Sequence, residues 1–495
     1  MNPLLRSVLL AVFGFALLSA AFVGCDLLDP TGVENPNVSE DDFLNFPDPM
    51  AAWLRGMERQ MSLALNNQNN DLESSIIATA EIASDNYVNT STFFNAFMDA
   101  LVIDPADDDI EIPLRELSDL RSTAQFGLTR VATADEGTTD NQRAELWFFK
   151  GIAHLYIGEI WHLAPPDSGA APVPSAQQFQ LAVDAFEQAL SLTSDASEQT
   201  GYRIALARAY RDLGDRINAR AHAEAAIVEN PDFVRFAAYD FTNGPENDMQ
   251  FAIFGRTQND LQPLPRLDFL DPKFFNGAEA NSVDDQDTDV AYVKGEEAFL
   301  IRAEVQLADG DLAGAQQTLR DLLDVVAGRA ERELEDFDDP RENRDGSQRP
   351  RASDWVVAAS PSAPFRAGLV LERDAEVNIP VISGTSITAA DIDALSDLDE
   401  ALRVLYLMRQ EIFMAEGRRM VDLGIKWPVP QDEILVNENI TEGDPATLPI
   451  VPDFLPATEM DAFTLDEAAR QVTILHDLNQ VLVDNKASDL VLPFH

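Results

Sequence analysis

A single cysteine, Cys25, is all that these 495 residues contain. No internal disulfide can form, so packing alone must hold the fold. Positive charge is also scarce: 35 Lys and Arg stand against 86 Asp and Glu, a formal net charge of −51. Such a surface repels phosphate, which excludes nucleic acid as a partner and disfavours anionic headgroups. Lysine is the rarer base, limited to Lys150, Lys273, Lys294, Lys426 and Lys486. An acidic, lysine-poor chain is like those of salt-loving organisms, where screening is strong and hydrated carboxylates maintain solubility. An ordinary acidic secreted protein is the alternative. High charge can also mean disorder, but a hydrophobic content of 45% supplies ample surface to bury.

Recognisable catalytic patterns are missing too. There is no Gly-x-Ser-x-Gly, no Gly-x4-Gly-Lys-Ser/Thr and no His-Glu-x-x-His. Of five histidines, only His162 falls in a Glu-x-x-His step, with Glu159, and a di-iron bundle needs two such steps plus two further glutamates. Asp285, Asp287 and Asp289 alternate as in a calcium loop, and Glu296 holds the twelfth place. Val290 stands where the turn glycine belongs, so a solvated acidic loop is the better reading. No enzyme, cofactor or metal is expected.

An uncharged run, Ser7 to Gly24, follows Arg6 and ends at Cys25. A basic residue, an apolar stretch and small residues before a cut describe a secretory signal. A cysteine directly after it points to lipidation: residues 1–24 are removed and Cys25 carries the lipid. An uncleaved membrane helix is the alternative, since the run is near the lower limit for a span. Polar, turn-forming sequence begins at once (Asp29-Pro30, Asn35-Pro36), so 25–45 reads as a tether and 46–495 as the folded domain.

Helical periodicity begins with Leu54, Met57, Met61 and Leu65. A repeat follows. In Tyr202–Pro231, Leu206, Ala207 and Tyr210 line one helix, Gly214-Asp215 turns the chain, and Ala219, Ala223 and Ala226 line the next. These residues resemble the tetratricopeptide repeat, whose small positions let antiparallel helices approach closely. Looser units fit over 144–231, 297–326 and, as one further helix, 398–424. Phe233–Val293, Asp336–Ile392 and Leu435–Ala462 are long and irregular, as functional loops are. Sugar rings and peptides stack on aromatic faces. The loop candidates are Trp355 first, with Phe241, Phe269, Phe274, Phe275 and Tyr292.

Arg409, Glu416, Gly417, Arg418, Arg419 and Asp422, with Leu423, fall in a stretch that is similar to the C-terminal signature of the SusD/RagB family of nutrient-binding outer-membrane lipoproteins. Trp427-Pro428-Val429-Pro430 to Ile434, the Glu297–Gly328 helix pair and Cys25–Pro30 resemble further pieces in the same order. The resemblance implies a mainly α, tetratricopeptide-like scaffold with long loops. It implies an outward-facing, lipid-anchored lid that binds an oligosaccharide or peptide and delivers it to a SusC-like TonB-dependent barrel. An envelope scaffold organising other proteins is the alternative; an envelope hydrolase has only the carboxylate surplus behind it. The charged signature residues read as a positioning network on one helix face, not as a ligand site.

Overall fold

The computed structural model describes residues 43–66, 75–89, 96–240, 242–255, 261–274, 287–334, 350, 352–372 and 375–495. They fall into two units divided after Pro49. Of the first, a turn is described in which the Phe46 N–H donates to the Phe43 carbonyl at 3.0 Å. Cys25, the leader and most of the tether lie outside the described residues.

The second unit is mainly α. Its principal helices are α1 (Pro49–Leu65), α2 (Ile76–Ile82), α3 (Asp108–Phe126), α4 (Asp140–Ile160), α5 (Ser175–Leu192), α6 (Ala196–Asp212), α7 (Arg216–Glu229), α8 (Gly295–Ala308), α9 (Leu312–Ala327), α10 (Leu398–Ile412), α11 (Arg419–Asp422) and α12 (Leu478–Asp484). From α3 to α9, helices pack on their sequence neighbours, and α7 passes the stack on to α8. The result is a tetratricopeptide-like array. No described helix is long and apolar enough to cross a membrane.

The turns explain the repeat. Gly214 and Gly310 take φ of +71° and +81°, the left-handed conformation that ends a helix without a Cβ penalty. The N–H of the next residue reaches back in each case, Asp215 to the Tyr210 carbonyl and Asp311 to the Gln306 carbonyl, at 2.9 and 2.8 Å. Each aspartate then accepts the amide of the third residue on, Asn218 or Gly314, capping the following helix. Ala207 and Ala219 are fully buried between helices. At Gly151 a Cβ would lie 2.5 Å from the Phe186 ring, so α4 and α5 meet at a contact only glycine allows.

Short strands lie between the helices: β1 (Tyr87–Asn89), β2 (Leu163–Ala164), β3 (Val173–Pro174), β4 (Val234–Ala237), β5 (Leu261–Pro263), β6 (Val290–Lys294), β7 (Glu331–Leu334), β8 (Val356–Ala358), β9 (Phe365–Arg366), β10 (Val377–Pro380), β11 (Phe463–Asp466) and β12 (Gln471–Ile474). Four of them form a sheet in the order β11-β12-β8-β9, with β12 parallel to β8. The others pair in twos.

The expected single helix over 398–424 is corrected. α10 stops at Ile412, and the chain turns through Ala415 and Gly417 at φ of +60° and +68° before α11. The charged residues therefore do not share a helix face; the turn aims them at different elements. Arg409 pairs with Asp422 at 3.0 Å, Arg418 with Glu297 of α8 at 2.7 Å, and Arg419 with Asp85 at 2.6 Å. Glu416 accepts from Lys294 at 2.6 Å and also from Lys273. The Gly417 N–H donates to the buried Glu81 at 2.8 Å. Arg211 binds Glu304 at 2.7 Å, and Arg208 pairs with Glu159. One buried charge network thus ties α10 and α11 to the repeat helices α4, α6 and α8.

Within it, burial and then the Glu159 charge push the Asp212 carboxyl up from 3.8 to about 7. Between those values the folded chain holds a proton that the unfolded chain has released. Stability therefore falls as pH rises through this window and levels off above it. Asp212→Asn, which keeps a proton toward Glu159 at every pH, is expected to flatten that decline. Urea midpoints from pH 4 to 8 check it, and an unchanged slope would refute it.

Candidate functional site

Sugar recognition needs an exposed aromatic face beside polar groups that still have hydrogen-bonding capacity. Two cavities place an exposed phenylalanine beside charged side chains. The first, of about 470 Å³, lies between β8 and β9, the segment 383–395 with its short helix Ala389–Ala394, and α10. Phe365 in its wall is 44% exposed. Around it stand Arg366, Asp391, Glu400, Arg403 and Arg266. Arg366 pairs with Asp391 at 3.1 Å and donates to the Ser386 carbonyl. Burial raises the Asp391 carboxyl, but Thr388 and then Arg366 outweigh it and hold it below the usual range. Arg403 grips Asp477, Nε donating at 2.8 Å.

The wall loop is anchored from beneath. Glu411, on α10, accepts from Thr385 Oγ1, the Ser386 N–H and Ser386 Oγ at 2.6, 2.8 and 2.6 Å. The same stretch that knots the repeats together therefore also fixes Ser386 and, through its carbonyl, Arg366.

The second cavity, of about 560 Å³, is lined by Phe236, Tyr239, Tyr292, Glu198 and Arg235 among others. Its key charges are spent on one another. Arg235 bridges Glu145 and Glu198, the latter at 3.2 Å, and lies 4.3 Å from the centre of the Phe148 ring. Tyr202 donates to Glu145 at 2.5 Å. These contacts knit α4, α6 and β4 together and engage Arg235 and Glu198 with the scaffold itself.

The sequence candidates separate accordingly. Tyr292 is not on a loop: it sits in β6, 6% exposed, in the second cavity. Trp355 is half-buried, two residues before Val357, which lines the first cavity; Trp355 itself does not line it. Phe274 ends the 3₁₀ segment Pro265–Phe274. Phe241, Phe275 and Asp285 lie outside the described residues. In the calcium-like loop, Asp289 accepts the Tyr239 N–H at 3.1 Å, and Glu296 is held by Arg329 at 2.7 and 2.6 Å. Glu159 turns to Arg208 and not to His162. Sequence reasoning missed Phe365 and Arg266. The available signal for Phe365 was an aromatic between Pro364 and Arg366 in a polar loop; Arg266 carried none.

No family model matches the chain, and no curated protein matches it in sequence. Solved structures do match its fold. A putative sugar binding protein from Bacteroides vulgatus has a TM-score of 0.51 at 13% identity, covering 79% of this chain and 97% of that one. A SusD superfamily protein from Bacteroides fragilis has 0.50 at 14%, covering 81% and 100%. A laminarin binding SusD-like protein has 0.50 at 12%, covering 79% and 98%. The chain has the SusD-like fold: a tetratricopeptide-like helical scaffold carrying long, loop-rich insertions.

Proposed function

We propose that the chain is a lipid-anchored envelope protein that binds an oligosaccharide in the cavity beside Phe365 and delivers it to a SusC-like TonB-dependent barrel. The observation that carries this reading is the exposed Phe365 beside Arg266, whose one carboxylate among the described residues is 3.9 Å away, both held on the insertions of a SusD-like scaffold. Two proteins of similar fold are described as sugar binding and laminarin binding. No bond is made or broken; the loops capture the ligand and the scaffold presents it. Cys25, lipidated after removal of 1–24, is the anchor, and the residues that follow it are the tether, on the outward face of the outer membrane.

Glycan and peptide arrays with the purified chain test the binding step. Phe365→Ala is expected to weaken the best glycan about tenfold, or about 1.4 kcal/mol. Phe236→Ala, in the second cavity, should leave it unchanged. Binding only to peptides, or equal loss in both variants, would overturn the assignment. Delivery is tested by pull-down of the native chain from membranes, with Cys25→Ser as the released control. Recovery without any large β-barrel would favour the alternative, an envelope scaffold. One feature supports that alternative: Ile217 and Val228, 82% and 84% exposed, lie on one face of α7.

A further inference from the structure

Arg266 is the arginine of this cavity that lacks a close carboxylate partner. Its side chain is only 8% exposed, yet among the described residues its guanidinium has a single carboxylate in reach, Asp477 at 3.9 Å, and makes no hydrogen bond. Asp477 is already engaged by Arg403 and by the amide of Gln480 at the start of α12. The other nearby acids are also occupied. Asp391 serves Arg366 and Thr388, Glu400 accepts the Ser396 N–H at 3.1 Å, and Glu411 holds Thr385 and Ser386. Burial pulls the Arg266 guanidinium below the usual arginine range, with Asp477 and then Glu411 opposing.

A guanidinium has five donors in a planar fork, and no Arg266 nitrogen is among the fully enclosed unsatisfied atoms, so its free donors stay accessible from the cavity it lines. Of the wall's three arginines, Arg366 and Arg403 are matched by Asp391 and Asp477, which leaves Arg266 as the one without a close carboxylate. A neutral sugar hydroxyl offers single hydrogen bonds. A carboxylate or sulfate offers two coplanar oxygens that match the fork and bring the missing negative charge.

We propose that the glycan taken by this cavity is anionic, carrying a carboxylate or a sulfate ester that docks on Arg266 while a neighbouring ring lies against Phe365. The inference rests on the glycan-binding reading above and names the ligand class for that same site. Arg266 is the specificity-determining group; Arg403 positions Asp477 behind it.

Isothermal titration of the full chain with three oligosaccharides of equal length tests it: a uronic acid oligomer, a sulfated galactan oligomer and a neutral β-glucan oligomer. At least one of the acidic pair is expected to bind tenfold or more tightly than the neutral one, and the pair identifies which oxyanion is preferred. Arg266→Met should remove that advantage by weakening the acidic oligomer far more than the neutral one, whereas Phe365→Ala weakens both alike. Arg266→Lys, which keeps the charge and loses the fork, should retain part of the preference. A ligand-side control needs no variant: reducing the uronate carboxyls to alcohols should cost the native chain the same tenfold. Equal affinity for native and reduced oligomers, with sulfated no better than neutral, would overturn the anionic assignment and leave glycan binding standing. Failure of every glycan to bind would overturn the functional reading itself.

Discussion

Arg208→Met is expected to destabilise the chain by about 3–5 kcal/mol, the range for removing one partner of a buried ion pair. Arg208 and Glu159 are each 2% exposed at the side chain. Arg208 Nε donates to Glu159 at 2.5 Å, and its guanidinium lies 4.7 Å from the centre of the Tyr156 ring and 3.9 Å from Glu297. Without it, Glu159 keeps a buried negative charge beside Asp212, and Glu297 loses one of the cations around it while keeping Arg418 at 2.7 Å. The loss falls where α4, α6 and α8 meet, so it loosens the repeat array and not a surface corner. Arg208→Met combined with Glu159→Leu is expected to recover much of the loss, because the orphaned charge goes with its partner. Guanidinium midpoints of the single and double variants check both. A single-variant loss below about 1 kcal/mol would place the pair with exposed salt bridges and refute the argument.

That network shows what a sequence does and does not disclose. The Gly214-Asp215 and Gly310-Asp311 turns were legible because their chemistry is local: the groups that the left-handed glycine and the capping aspartate bind to close the turn lie within five residues of them. The signature residues were legible as a positioning set, yet their partners were not. Spacing rules on a helix pair Arg418 with Asp422. In the fold, Arg418 reaches Glu297, 121 residues away, because the chain turns at Ala415 and Gly417. The short strands were invisible for a similar reason. β8 and β9 span three and two residues, too few for alternation to register, and β8 pairs in parallel with a strand more than a hundred residues further on. Trp355 drew notice as a loop aromatic, but the cavity is completed by Phe365 from the neighbouring strand. Arg266 gave no signal at all; its meaning lies in which acids are already taken.

Gly295→Ala is the second large effect expected, and it separates steric contact from backbone freedom. Gly295 opens α8 directly after β6, and its N–H donates to the Phe233 carbonyl at 2.8 Å. A Cβ there would sit 1.9 Å from the Pro231 carbonyl oxygen and 2.8 Å from its carbon. These are backbone atoms, so no rotamer relieves the clash; the end of α7 and the β4–β6 pair must move against the start of α8. The expected loss is about 3 kcal/mol, the upper end for overpacking a well-filled site, or failure to fold. Gly310 is the reverse case: φ is +81° and nothing lies within 4 Å of a Cβ. Gly310→Ala is expected to cost about 1–2 kcal/mol, from left-handed strain alone. Asparagine tolerates that conformation, so Gly310→Asn should recover part of the loss. Gly295→Asn should be at least as damaging as Gly295→Ala, because its added bulk meets the same carbonyl. Thermal and urea unfolding of the four variants check this order. If asparagine rescued position 295, or if Gly310→Ala cost more than Gly295→Ala, backbone conformation and not close approach would be what the start of α8 requires.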